Sequence, residues 1–151
     1  MADVEVWWAD PNVTDGSLDL LDAIERERHD RYLRAEDRAR FRTARVLAKT
    51  VLARMLGVTP AEIRFDSTCK CGQPHGKPKV VGGGAELSIS HSGDRIAVAV
   101  TSGAPLGVDV ERMPAKPVSD GLLDATLSPR ERAVVDALPA GDRATNFITY
   151  W

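Results

Sequence analysis

The chain has 151 residues, 43% of them hydrophobic and 28% charged, with a formal net charge of −2. That apolar content supports one ordinary core or two small lobes and excludes a disordered chain, and the charge balance creates no global positive field for nucleic acid. The longest apolar run falls far short of the roughly 18 residues of a membrane span, and the opening MADVEVWWADPN has neither region of a signal peptide. Cys69 and Cys71 are the only cysteines and sit too close for a comfortable disulfide. A soluble cytoplasmic protein, without nucleic-acid or membrane partners, is the expectation.

In chain order, Val4 to Trp8 alternates and predicts a strand, ended by Asp10-Pro11-Asn12. Ser17 is placed to cap a helix carrying Leu20, Leu21 and Ile24. A long helix is expected from Ala35, because Ala44, Leu47, Ala48, Val51, Leu52 and Met55 follow helical spacing and Gly57 stops it. Thr59-Pro60-Ala61-Glu62 is a capping box that opens a single turn. Short strands are expected at Ile63–Phe65, Val80-Val81, Leu87–Ser90, Ile96–Thr101 and Leu106–Val110, with residues 67–78 as loop. Ser128-Pro129-Arg130-Glu131 starts another helix, and a last one begins near Asp142. Strands and helices mix without regular β-α-β alternation, so the fold class is α+β. Ser102 to Pro105 is a turn and a boundary, dividing 1–104 from 105–151.

Three segments carry possible chemistry. In Gly107-Val108-Asp109-Val110-Glu111 the two acids share one face of an extended chain. Such a pair repels unless a cation neutralises it, and hard oxygen ligands suit Mg²⁺; a solvated strand face is the plain alternative. In Leu87-Ser88-Ile89-Ser90-His91-Ser92-Gly93, hydroxyls, an imidazole and turn amides offer a phosphate site, or simply a polar turn. His75-Gly76-Lys77-Pro78 brings a lysine charge on a close-packed loop without the spacing of a P-loop. Cys69, Cys71 and His75 supply three soft ligands, but structural zinc sites use four and space their cysteines C-x₂₋₄-C, so an ordinary loop is the better reading. The arginines from Arg26 to Arg54 form either a solvated helix face or an anion-binding edge.

In this order, the segments resemble the Sfp-type 4′-phosphopantetheinyl transferases. Ser88 to Gly93 is similar to the family's serine-histidine-serine strand end, Gly107 to Glu111 to its metal strand, and Gly76-Lys77-Pro78 to its G-K-P. Leu127-Ser128-Pro129-x-Glu131 matches the family's later helix start. Phe147 and Trp151 match the opening of its F-x-x-x-W-x-x-K-E helix, and Glu25 to Arg54 its basic first helices. The resemblance implies two similar α/β lobes with mainly antiparallel sheets, related by a pseudo-twofold axis, with coenzyme A and Mg²⁺ between them. It implies transfer of the phosphopantetheine arm of coenzyme A to a serine of an apo acyl or peptidyl carrier protein, releasing adenosine 3′,5′-bisphosphate. Such carriers serve fatty acid, polyketide or nonribosomal peptide synthesis. By the same resemblance Asp109 and Glu111 are Mg²⁺ ligands, Lys77, Ser90 and His91 contact coenzyme A phosphates, and Arg28 and Arg40 stand at basic coenzyme A-binding positions. His91 falls near the adenosine 3′-phosphate and Glu131 at a family acidic position.

The family pattern continues past Trp151 with a lysine-glutamate pair, whose glutamate is the third metal ligand, and a further lysine. The expectation is a fragment with an incomplete second lobe, inactive alone, or one completed by another chain. Two other readings stand beside it: a non-catalytic coenzyme A or carrier-protein binding module, and a small zinc-binding interaction domain.

Overall fold

The computed structural model describes residues 3–11, 15–113 and 117–150. Readings at Asn12, the Ser17 side chain and Trp151 lie outside what is described. The chain divides into two compact units, Met1–Val110 and Glu111–Trp151, and the class is α+β.

In the first unit, strand β1 (Glu5–Ala9) pairs with β5 (Arg95–Thr101), which pairs with β4 (Glu86–Ser92), all antiparallel, in the order β1-β5-β4. Side-chain alternation then decides the layers. Ile96, Val98 and Val100 of β5, with Leu87 of β4 and Trp7 of β1, join the core with helix α2 (Ala35–Leu56). Ala97 and Ala99 lie on the opposite face, beside Trp8 and Val6 of β1 and Ser90 and Ser88 of β4. The hairpin between β4 and β5 turns through Gly93 and Asp94, with Ser92 paired to Arg95 and Gly93 at φ +59°. Glycine adopts that positive angle without strain.

Helix α2 presents Ala44, Ala48, Val51 and Leu52 to the sheet. It ends at Gly57, whose φ of +70° closes the last turn as the sequence predicts. Strands β2 (Phe65–Asp66) and β3 (Lys79–Val80) form a separate two-stranded ladder. The Thr59 capping box and its short turn, Pro60–Glu62, are present. Two expectations are corrected here. The turn around Ser17 is a 3-10 helix, Asp15–Leu20, and the following helix α1 (Ala23–Arg31) is capped by Asp22, in a reciprocal capping box with Glu25. The segment 106–110 forms no strand ladder; its bonding is described below.

Within α1 and α2 lies a buried ionic cluster that the arginine-rich sequence hides. Lys49 is 0% exposed. Its Nζ sits 2.7 Å from Glu25 Oε2 and donates to Leu20 O at 2.7 Å. Arg45 Nε lies 3.7 Å from Glu25 Oε1. The Arg45 guanidinium also stacks on Phe41 at 5.2 Å and on Phe65 at 5.3 Å, which places its apolar faces against aromatic ones.

The second unit holds helices α3 (Asp120–Thr126), α4 (Pro129–Asp136) and α5 (Ala140–Tyr150) around Leu123, Leu127, Val135 and Phe147. Ser128 caps α4 and Glu131 completes the box. No helix among the described residues is long and apolar enough to cross a membrane.

Candidate functional site

The site residues of the first unit gather on the two faces of β4. On one face, Ser90 Oγ donates to Asp109 Oδ1 at 2.6 Å and accepts from the Val110 N–H at 3.2 Å. Ser88 Oγ likewise accepts from the Val108 N–H at 3.1 Å. Two serines spaced by two thus catch two backbone amides spaced by two. Hydroxyls take the place of a carbonyl ladder, and segment 106–110 lies along β4 without joining the sheet. This pattern also explains why both serines stand on the sheet face away from α2. The exposed Asp109 carboxylate is thereby held in one orientation while open to solvent. Asp109 stands just inside the end of the first unit, and Glu111 is the first residue of the second.

On the other face, His91 borders a cavity of about 150 Å³ with Arg28, Arg45, Gly76 and Pro78. Arg28 also borders a shallower cavity of about 360 Å³ with Arg31, Tyr32, Pro74 and His75. The Arg28 Nη1 donates to Pro74 O at 3.4 Å. Guanidinium groups and an imidazole converging on open cavities attract an oxyanion, and Arg28 and Tyr32 line both. Lys77 is separate: its Nζ donates to Leu106 O at 2.6 Å, using one of the ammonium's three donors. Arg40 donates to Gly93 O at 2.6 Å and to Asp37 Oδ1 at 2.7 Å, so it ties helix α2 to the hairpin turn beyond His91. Of the residues singled out in sequence, the structure therefore joins Arg28 with His91, and Ser90 with Asp109.

Arg45 belongs to the basic stretch that the sequence reads as a solvated helix face or an anion-binding edge, without being singled out there. It borders the same cavity as His91, and its buried Nη1 has no hydrogen-bond partner among the described residues. Burial lowers the Arg45 pKa from its ordinary value, opposed first by the Glu25 carboxylate. The Arg45 guanidinium thus adds positive charge to the lining of that cavity. The only sequence signal was a basic residue on the apolar side of α2. Glu131, by contrast, is engaged: the Ser128 Oγ and N–H donate to it at 2.7 and 2.8 Å. Those bonds, the hydroxyl's first, lower its carboxyl pKa.

The loop that carries Lys77 depends on Gly76. A β-carbon there would lie 3.0 Å from Ser67 O, 3.2 Å from Thr68 O and 3.3 Å from the Cys69 Cα. All three are backbone atoms and none can swing aside. Gly76→Ala is expected to destabilise the first unit by about 1–3 kcal/mol, measured by urea unfolding; an unchanged midpoint would show the loop to be more pliant than described.

Residues 5–103 match the family model for 4′-phosphopantetheinyl transferase, N-terminal. The chain belongs to the 4′-phosphopantetheinyl transferase family. It is 34% identical over 119 residues to the 4′-phosphopantetheinyl transferase ffp of Bacillus subtilis, covering 78% of this chain and 50% of that protein. It is 29% identical over 133 residues to the transferase HetI of Nostoc sp., covering 87% of this chain and 55% of that protein. Sfp of Bacillus subtilis strain 168 is 28% identical over 135 residues, covering 89% and 57%. The chain thus spans about half the length of these transferases. The family match takes in Lys77, Ser90 and His91, while Asp109 and Glu111 follow it.

Proposed function

We propose that the protein transfers the 4′-phosphopantetheine arm of coenzyme A to a serine of an apo acyl or peptidyl carrier protein. The serine oxygen bonds to the phosphorus that bears the pantetheine and gives up its hydroxyl proton to solvent, the pyrophosphate P–O bond breaks, and adenosine 3′,5′-bisphosphate leaves with the electron pair. The hold of Ser90 on Asp109 supports this reading most directly, in a chain that belongs to this family. A carboxylate fixed by a hydroxyl, exposed, and followed two residues later by Glu111 is a hard-oxygen donor set of the kind that suits Mg²⁺. Asp109 and Glu111 would hold that ion; when bound, it would neutralise the pyrophosphate.

The protein's own groups do the rest. Lys77 has two ammonium donors left for phosphate oxygens. Arg28 and Arg45 supply charge around the His91 cavity, where the 3′-phosphate is the fitting ligand group. Arg40 fixes the hairpin turn that positions His91. A family lobe boundary at 104 would put segment 105–110, and Asp109 with it, at the start of the second lobe, while the compact units divide after Val110. A cytoplasmic location accords with two free thiols.

The test is mass spectrometry of an apo carrier protein incubated with coenzyme A, Mg²⁺ and a version of the protein extended to the length of its relatives, the 151-residue chain alone being expected to transfer nothing. Gain of one phosphopantetheinyl group on serine is expected. Tight coenzyme A binding with no such gain, even when the remainder of the family's second lobe is supplied, would favour the binding module instead. Lys77→Ala is expected to weaken coenzyme A binding at least ~10-fold, as the loss of a charged hydrogen bond of about 1.5–3 kcal/mol implies. Calorimetric titration checks it; an unaltered Kd would remove Lys77 from the phosphates.

A further inference from the structure

The loop before Gly76 gathers side chains that the transfer reading does not use. One ligand atom each from Cys69, Cys71 and His75 lies within 4.8 Å of the others, the one such cluster of metal-binding side chains among the described residues. Cys71 Sγ and His75 Nε2 are 3.0 Å apart. The loop's backbone holds them there. The Cys69 N–H donates to Gln73 O at 2.8 Å, the Gly72 N–H to Cys69 O at 2.8 Å, and the His75 N–H to Gln73 O at 2.9 Å. The Gly76 N–H closes the base on Ser67 O at 2.7 Å. Gly72, at φ +82°, turns the chain back between the second cysteine and the histidine, a conformation that suits glycine.

The C-x-C spacing weighs against a zinc site in sequence, because structural pairs are usually C-x₂₋₄-C. The folded loop changes that judgement. Zinc bonds of about 2.3 Å to sulfur and about 2.0–2.1 Å to nitrogen place tetrahedral ligand atoms roughly 3.3–3.8 Å apart. The present separations, from 3.0 Å to within 4.8 Å, straddle that range, so small side-chain rotations suffice. Two thiolates and an imidazole suit zinc, and no carboxylate among the described residues joins them, which disfavours Mg²⁺ or Ca²⁺.

We propose that Cys69, Cys71 and His75 bind one Zn²⁺, with water in the fourth position. Two thiols lose their protons to solvent on binding, and the two thiolates balance the ion's charge. The metal clips the loop whose Pro74 carbonyl accepts from Arg28, and it stiffens the backbone leading to Lys77. The proposal stands independently of the transfer reading.

The test uses the 151-residue chain, reduced and stripped of metal, titrated with Co²⁺ and then with Zn²⁺. Thiolate-to-cobalt charge-transfer absorption is expected to saturate at one equivalent and to be displaced by one equivalent of Zn²⁺. Cys71→Ser and His75→Ala are each expected to weaken Co²⁺ binding at least ~10-fold with an unchanged far-ultraviolet circular dichroism spectrum. The absence of a charge-transfer band from the wild-type chain at excess Co²⁺ would overturn the proposal without reference to any variant. Equal Co²⁺ affinity in folded variants would also overturn it.

Discussion

Glu25→Ala is expected to destabilise the first unit by about 3–5 kcal/mol, the cost of leaving a buried charge without its partner. Lys49 Nζ is fully enclosed and has two oxygen partners, Glu25 Oε2 and Leu20 O, each at 2.7 Å. Removing the carboxylate leaves an ammonium with one neutral carbonyl in a core that cannot hydrate it. It also strips Arg45 of its nearby anion and opens the capping box, since Glu25 Oε2 accepts the Asp22 N–H at 3.0 Å. Glu25→Gln keeps an acceptor for the cap and loses only the charge, so its cost should be smaller. Pairing Glu25→Leu with Lys49→Met should recover much of the loss, because both charges then vanish together. Urea unfolding of the wild type, Glu25→Leu, Lys49→Met and the double variant forms the cycle. A single-variant cost below about 1 kcal/mol would show that water reaches Lys49.

In a version extended to the length of the family's transferases, Asp109→Ala is expected to abolish the Mg²⁺-dependent part of coenzyme A binding and to lower transfer at least ~100-fold, while leaving the fold intact. The carboxylate is exposed, so its loss costs little packing. Ser90→Ala provides the graded companion. It leaves the carboxylate in place and removes the hydroxyl that aims it, together with the acceptor of the Val110 N–H. Groups that orient a metal ligand typically contribute about 10–100-fold to affinity or activity, so Ser90→Ala should fall between wild type and Asp109→Ala. Asp109→Asn retains the Ser90 bond without the charge and should resemble the alanine variant. Unchanged Mg²⁺ dependence in Asp109→Ala would remove this residue from the site.

The parts of the fold legible in sequence were those set by local rules. The apolar spacing of α2, the glycine at its end and both proline-bearing capping boxes depend on neighbours within four residues. What escaped the reading depends on distance along the chain. Leu106 to Val110 has the alternation of a strand, yet its amides meet the hydroxyls of Ser88 and Ser90, partners some 20 residues away. Lys49 and Glu25 lie within the charged stretch that the sequence reads as a solvated helix face or an anion-binding edge, because nothing local reveals that two helices close over them. Helix α3 is short, and its existence rests on the Ser119 cap and the burial of Leu123. The candidate site divides in the same way. Its residue types were visible as motifs. That neighbouring Ser90 and His91 serve opposite faces of β4, one beside Asp109 and the other beside Arg28 and Arg45, follows from strand alternation only once the sheet is known.

Titration of the chain with coenzyme A, set against 3′-dephospho-coenzyme A, tests the account most directly. It predicts saturable binding of coenzyme A that is strengthened by Mg²⁺, with dephospho-coenzyme A weaker by at least ~10-fold, as the loss of charged hydrogen bonds implies. His91→Ala should abolish the difference between the two ligands. Equal affinity for both ligands in the wild-type chain, or no binding of either, would contradict it.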